Sequence, residues 1–133
     1  LIMKEIKDNN GNLLAIFISY KSINKEKDFV TDNSLDFQLA SFNLKKDTVI
    51  EKHYHPSQDR SIKTTSEVIV VLKGKIQVDI YDEGLKLIEN QLVSKGETMA
   101  MFAGGHGITV IEDCKLIETK QGPFEEETDK IRF

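Results

Sequence analysis

Apolar residues along this chain recur in short runs and alternations, without the three-to-four-residue spacing that a long helix needs. The first apolar strand expected is Leu13–Ser19, after the turn signal Asn9-Asn10-Gly11-Asn12. Residues 20–33 are polar and irregular and read as a loop. Residues 37–44 alternate weakly, and residues 49–55 read as extended after Lys45-Lys46-Asp47. A polar stretch, residues 56–66, leads into two strands, 67–72 and 75–81, joined at Lys73-Gly74. In the second of these, Ile76, Val78 and Ile80 alternate with Gln77 and Asp79, the period of a half-buried strand. The hairpin turn Asp82-Glu83-Gly84 and the turn Ser94-Lys95-Gly96 separate strands at 86–93 and 97–102. Two last strands are expected at 107–112 and 115–120, before Gly122-Pro123 and an acidic stretch at 125–129. Roughly eight to ten short strands with regular turn signals predict a single all-β domain over residues 1–133, a sandwich or barrel.

One strand breaks the alternation. Residues 68–72 are apolar at every position, so both faces need cover. If Glu67 points inward, Ile69 and Val71 share its face, and Val68, Val70 and Leu72 form an apolar outer face. That face calls for the strand at 13–18 or for a second subunit, and a homodimer is the expected assembly.

Composition narrows the function classes. At 133 residues, 39% hydrophobic and 30% charged, the chain suits a folded domain. A net charge of −4 and the absence of a basic stripe with interleaved aromatics argue against nucleic acid as a partner. No apolar run approaches the ~20 residues of a membrane helix, and Leu1-Ile2-Met3-Lys4-Glu5 lacks a signal-peptide core. The single cysteine, Cys114, rules out an intrachain disulfide framework and fits a cytoplasmic setting; it reads as an inert thiol beside Glu112 and Asp113.

The three histidines carry the candidate chemistry. His53 and His55 are two apart in a segment that reads as extended, so both would project from one face, roughly 6.5–7 Å apart along the chain. Glu67 opens the apolar strand and adds a carboxylate. His106 lies in the turn Gly104-Gly105-His106-Gly107. Three imidazoles and a carboxylate suit a divalent transition metal: Fe, Mn, Ni, Cu or Zn.

These residues resemble the cupin superfamily. His53, His55, Glu67 and Gly74 match the first cupin motif, HxH followed by a glutamate and a glycine seven residues on. Gly96, the turn Phe102-Ala103-Gly104 and His106 match the second. The chain departs from the pattern in having eleven residues between His55 and Glu67, and Phe102 where the turn proline stands. The resemblance implies a double-stranded β-helix, a jelly-roll barrel, with one metal near its mouth held by His53, His55, Glu67 and His106. The segment 117–124 is similar to that of small cupin metalloproteins from bacterial polysaccharide gene clusters, which implies a sugar derivative as the molecule bound.

The enlarged segment between the ligands contains Gln58, Arg60 and Lys63, expected to line the mouth and to hold a small polar or anionic molecule. Glu51 shares the parity of His53 and is a candidate base beside the metal. Two other functions fit the same residues: a non-catalytic binding or sensing module with a structural metal or none, and a metal-independent sugar epimerase or isomerase with a histidine base. Glu51-Lys52 stand where the sugar-keto isomerase cupins carry an arginine-glycine pair, which counts against that form of the last reading.

Overall fold

The computed structural model describes residues 3–133; Leu1 and Ile2 lie outside the described residues. The fold is all-β and antiparallel, as the alternation predicts. Its strands are β1 (Met3–Lys7), β2 (Leu13–Ser19), β3 (Asp28–Phe29), β4 (Ala40–Ser41), β5 (Glu67–Tyr81), β6 (Leu87–Ser94), β7 (Glu97–Met101) and β8 (Gly105–Lys120). Six form one sheet in the order β1-β2-β7-β5-β6, with β8 paired to β5; β3 and β4 form a separate short pair. Among the described residues β8 has no second partner, so the sheet is open along that edge and does not close into a barrel.

β1 was not foreseen from the apolar pattern, because it buries little besides Ile6. Its hairpin with β2 is set by Asp8, whose carboxylate accepts from the backbone N–H groups of Asn10 and Asn12 and from the Asn12 side chain. The expected strand at 37–44 shrinks to Ala40–Ser41, and the expected strand at 49–55 does not form.

Four expected strands merge into two long ones. β5 runs through Lys73-Gly74, and β8 runs through the Glu112-Asp113-Cys114 turn signal. The β5–β8 register shifts at Val71/Lys73, Lys73/Lys75 and Lys75/Ile76, so the turn signals are absorbed as bulges. Gly74 sits there at φ +83, where a Cβ would stand 2.1 Å from the Asp113 carbonyl oxygen. The backbones of β5 and β8 approach at that point as only glycine permits.

The bend positions the site. Glu67 and Ile80 are thirteen residues apart on β5, about 43 Å on a straight strand. His106 pairs with Ile80, yet its Nε2 lies 3.0 Å from Glu67 Oε1. The β5–β8 ribbon therefore folds over at Gly74 and brings the inner faces of its two ends together.

The inner face holds the main core: Leu14, Phe17, Ile69, Val71, Ile76, Val78, Ile80, Val93 and Met99 are all but completely buried. The parity expected for β5 is correct, since Glu67, Ile69 and Val71 are buried while Leu72 is half exposed. Part of the outer face is covered from within the chain. Val68 packs against a second cluster of Ile16, Ile18, Ala100 and Phe102, roofed by Ile23, Val30, Leu35, Phe37 and Leu39. The irregular stretch between β2 and β4 thus shields Val68 without a partner subunit. Among the described residues no helix is long and apolar enough to cross a membrane.

Candidate functional site

Glu67 enters the site because β5 alternates. Its neighbours in register are Met101 on β7 and Lys120 on β8, while Ile69 faces Glu118. Directly paired residues share a face, so Glu67, Glu118 and Lys120 project to the same side. From the other end of the folded ribbon comes His106, two residues after Gly104. That glycine adopts φ +74, and a Cβ on it would lie 2.1 Å from the Tyr81 carbonyl oxygen. The Gly104-Gly105 pair therefore sets the tight entry to β8 that delivers the imidazole.

The electrostatics are those of a half-buried carboxylate cluster. Burial pushes the Glu67 carboxyl up, but His106, with smaller contributions from Glu118 and Lys120, outweighs this and holds it below the usual carboxylate range. Burial and the neighbouring Glu67 push the Glu118 carboxyl up, against opposing help from Lys120 and Lys130. Lys120 donates to Asp129 at 2.9 Å, and that bond is the main cause that holds its ammonium above the usual lysine range. Glu67 Oε1 is buried and completes no hydrogen bond of good geometry, although His106 Nε2 is only 3.0 Å away. A buried carboxylate oxygen without a donor is costly, so it calls for a cation or a proton.

These groups line a cavity of about 770 Å³. Its walls include Thr65, Tyr81, Ile108 and the C-terminal segment 129–133, where the Phe133 ring packs edge-on to Tyr81 at 5.0 Å. Lys120, Lys130 and Arg132 bring positive charge to a lining that also carries Glu67, Glu118 and Asp129.

Two of the four expected ligands, Glu67 and His106, come together here. His53 and His55 do not join them. They pair with each other, ring centroids 5.3 Å apart and edge-to-face, with His53 Nδ1 2.8 Å from the Glu51 carbonyl oxygen. Both lie in an exposed segment, and among the described residues no group of three or more His, Cys, Asp or Glu side chains could hold an ion. Gln58, Arg60 and Lys63 lie in the same segment and do not line the cavity. Glu118, Lys120 and Asp129 were not anticipated. Glu118 and Lys120 are two apart on an expected strand, but only the β5–β8 register tells that they face Glu67.

Of the expected donor set only Glu67 Oε1 and His106 Nε2 approach each other, and their 3.0 Å spacing suits a direct hydrogen bond as well as two ligands on one ion. Comparisons with known protein families, with curated proteins and with solved structures found no match.

Proposed function

We propose that this chain is a cupin-type protein that binds one divalent transition metal, with Glu67 and His106 as the ligands on the sheet and His53 and His55 as the ligands supplied by the exposed segment. The observation that carries the reading is the buried Glu67 Oε1, whose near neighbour is His106 Nε2 at 3.0 Å. The β5–β8 ribbon folded at Gly74 supports a double-stranded β-helix, in which the missing strand would be residues 49–55. A bound metal would act as a Lewis acid toward an oxygen ligand. The protein's own groups have separate tasks. The cavity admits a small polar molecule. Lys120, Lys130 and Arg132 suit a carboxylate or phosphate on it, and Arg132 offers a planar fork for two-point binding. Glu118 lines the cavity beside Glu67 and would exchange a proton with the bound molecule.

The 3.0 Å Glu67–His106 approach also favours a second reading, a metal-independent epimerase or isomerase in which His106 is the base and Glu67 orients it. Metal titration separates the two. Stripped protein is dialysed against zinc or nickel and its metal content measured. The proposal predicts one ion per chain in the wild type, and loss of at least tenfold in affinity in Glu67→Gln and in His106→Ala. Unchanged metal content in both variants would remove the metal reading and leave the second.

A further inference from the structure

Residues 44–65 form an arm that is exposed throughout. Its only hydrogen bonds among the described residues are local: Thr48 N–H to the Lys45 carbonyl, and His53 Nδ1 with the Glu51 carbonyl. The arm is mostly polar, yet it leaves five large apolar side chains in solvent, Leu44, Val49, Ile50, Tyr54 and Ile62. Val49 is 81% exposed and Tyr54 84%, and Ile50 and Ile62 are exposed as well. Sequence alternation reads residues 49–55 as a strand, but no strand is beside them to complete the ladder. Water can satisfy the backbone groups of an exposed segment, but its bare apolar side chains gain free energy when another surface covers them.

Such a surface is on β8. Among the described residues this 16-residue strand pairs only with β5. Ile108 and Val110 are in register with Val78 and Ile76, and Leu116 with Val71. They therefore share the inner face of the sheet, where Val71, Ile76 and Val78 are fully buried. Ile108, Val110 and Leu116 nevertheless remain 41%, 58% and 39% exposed. The inner face lacks its cover along the one long strand whose outer edge is unpaired. The arm's C-terminal end leaves from this same place: Ser66 N–H donates to Gln121, and Glu67 pairs with Lys120.

We propose that two copies of this chain exchange their arms, so that residues 49–55 of each add as a strand to the free β8 edge of the other and bring His53 and His55 to the partner's Glu67 and His106. This rests on the metal-site reading above and names the source of the two ligands that one chain does not bring to its own site. The arm has the reach. A looped segment of 22 residues extends about 36 Å from its base. The exchange is reciprocal, so each copy gives one arm and accepts one, and the contact closes as a twofold dimer. Each site then contains residues of both chains and is incomplete in a monomer.

Two measurements on the 133-residue chain test the exchange and the metal separately. In the first, ¹⁴N- and ¹⁵N-labelled chains are mixed equally, unfolded, refolded together and cross-linked through lysine. Light scattering should give twice the 15.1 kDa chain mass. Cross-links from Lys52 or Lys63 to Lys115 or Lys120 should join heavy to light chains as often as like to like. A monomeric mass, arm-to-β8 cross-links confined to one label, or no such cross-links would overturn the exchange. In the second, His53→Ala/His55→Ala chains are co-expressed with Glu67→Gln/His106→Ala chains under two tags, and the doubly tagged dimer is purified. Neither variant alone should retain zinc, while the mixed dimer should retain one ion, half the wild-type content. An ion-free mixed dimer alongside heavy–light cross-links would leave the exchange standing and overturn the metal reading.

Discussion

Replacing Gly74 with alanine perturbs the fold at the point where β5 and β8 bend together. Two costs add. Alanine at φ +83 costs about 1–2 kcal/mol against glycine. Its Cβ would also stand 2.1 Å from the Asp113 oxygen, and the β8 backbone must retreat by about 1.3 Å to restore ordinary contact. That movement disrupts pairing on both sides of the bulge, and loss of two backbone hydrogen bonds adds about 2 kcal/mol. The total, about 3–4 kcal/mol, is a large part of the roughly 5–15 kcal/mol by which a domain is stable. Gly11 is the control. It has nearly the same φ, +82, but nothing within 4 Å of its Cβ position, so Gly11→Ala should cost only the conformational part, about 1–2 kcal/mol. Urea unfolding at matched protein concentration reads the difference as a lower midpoint at constant slope, by roughly 1–2 M for Gly74→Ala. If the two variants lose stability equally, within about 0.5 kcal/mol, the close approach at Gly74 contributes nothing and the reasoning fails.

Core truncation should discriminate the two faces of β5: Ile69→Ala, at a site 1% exposed, should cost about 2–5 kcal/mol, while Leu72→Ala, half exposed, should stay near 0.5 kcal/mol, both by urea titration. Asp8→Ala should lower the melting temperature at neutral pH by removing the β1–β2 turn bonds. Those bonds depress the native Asp8 pKa, so their contribution is present above the unfolded value near 3.8 and is lost as pH falls through the lower native value. Wild type and variant should therefore converge in acid, and a difference that persists at the lowest pH would contradict this. Charge reversal by Lys120→Glu should weaken binding of an anionic ligand such as inorganic phosphate at least tenfold, read by calorimetry; unchanged affinity would place the anion elsewhere.

The sequence was informative wherever a face was buried on one side. The alternation Ile76-Gln77-Val78-Asp79-Ile80 located a strand and its inner residues, while the all-apolar run 68–72 is covered on its outer face at Val68 but left half exposed at Leu72. Where two interactions compete, local pattern was insufficient. Lys73-Gly74 and Asp113-Cys114 carry turn chemistry, but pairing between two long strands converts both turns into one shared bulge. Glu118 and Lys120 were invisible as site residues because their meaning depends on register, a long-range property. Glu67 and His106 were legible by residue type and come together in space. His53 and His55 were legible too, but among the described residues their segment finds no strand partner, so the expected strand at 49–55 does not form and the segment is exposed.

The central claim is that Glu67 and His106 hold one metal ion together with both imidazoles of the arm. Crystals grown with zinc and measured across its absorption edge test it directly. The account predicts one anomalous peak per chain, about 2.0–2.2 Å from Glu67 Oε1, His106 Nε2 and one nitrogen each of His53 and His55. A peak on His53 and His55 alone, or no peak beside Glu67 and His106, would contradict it.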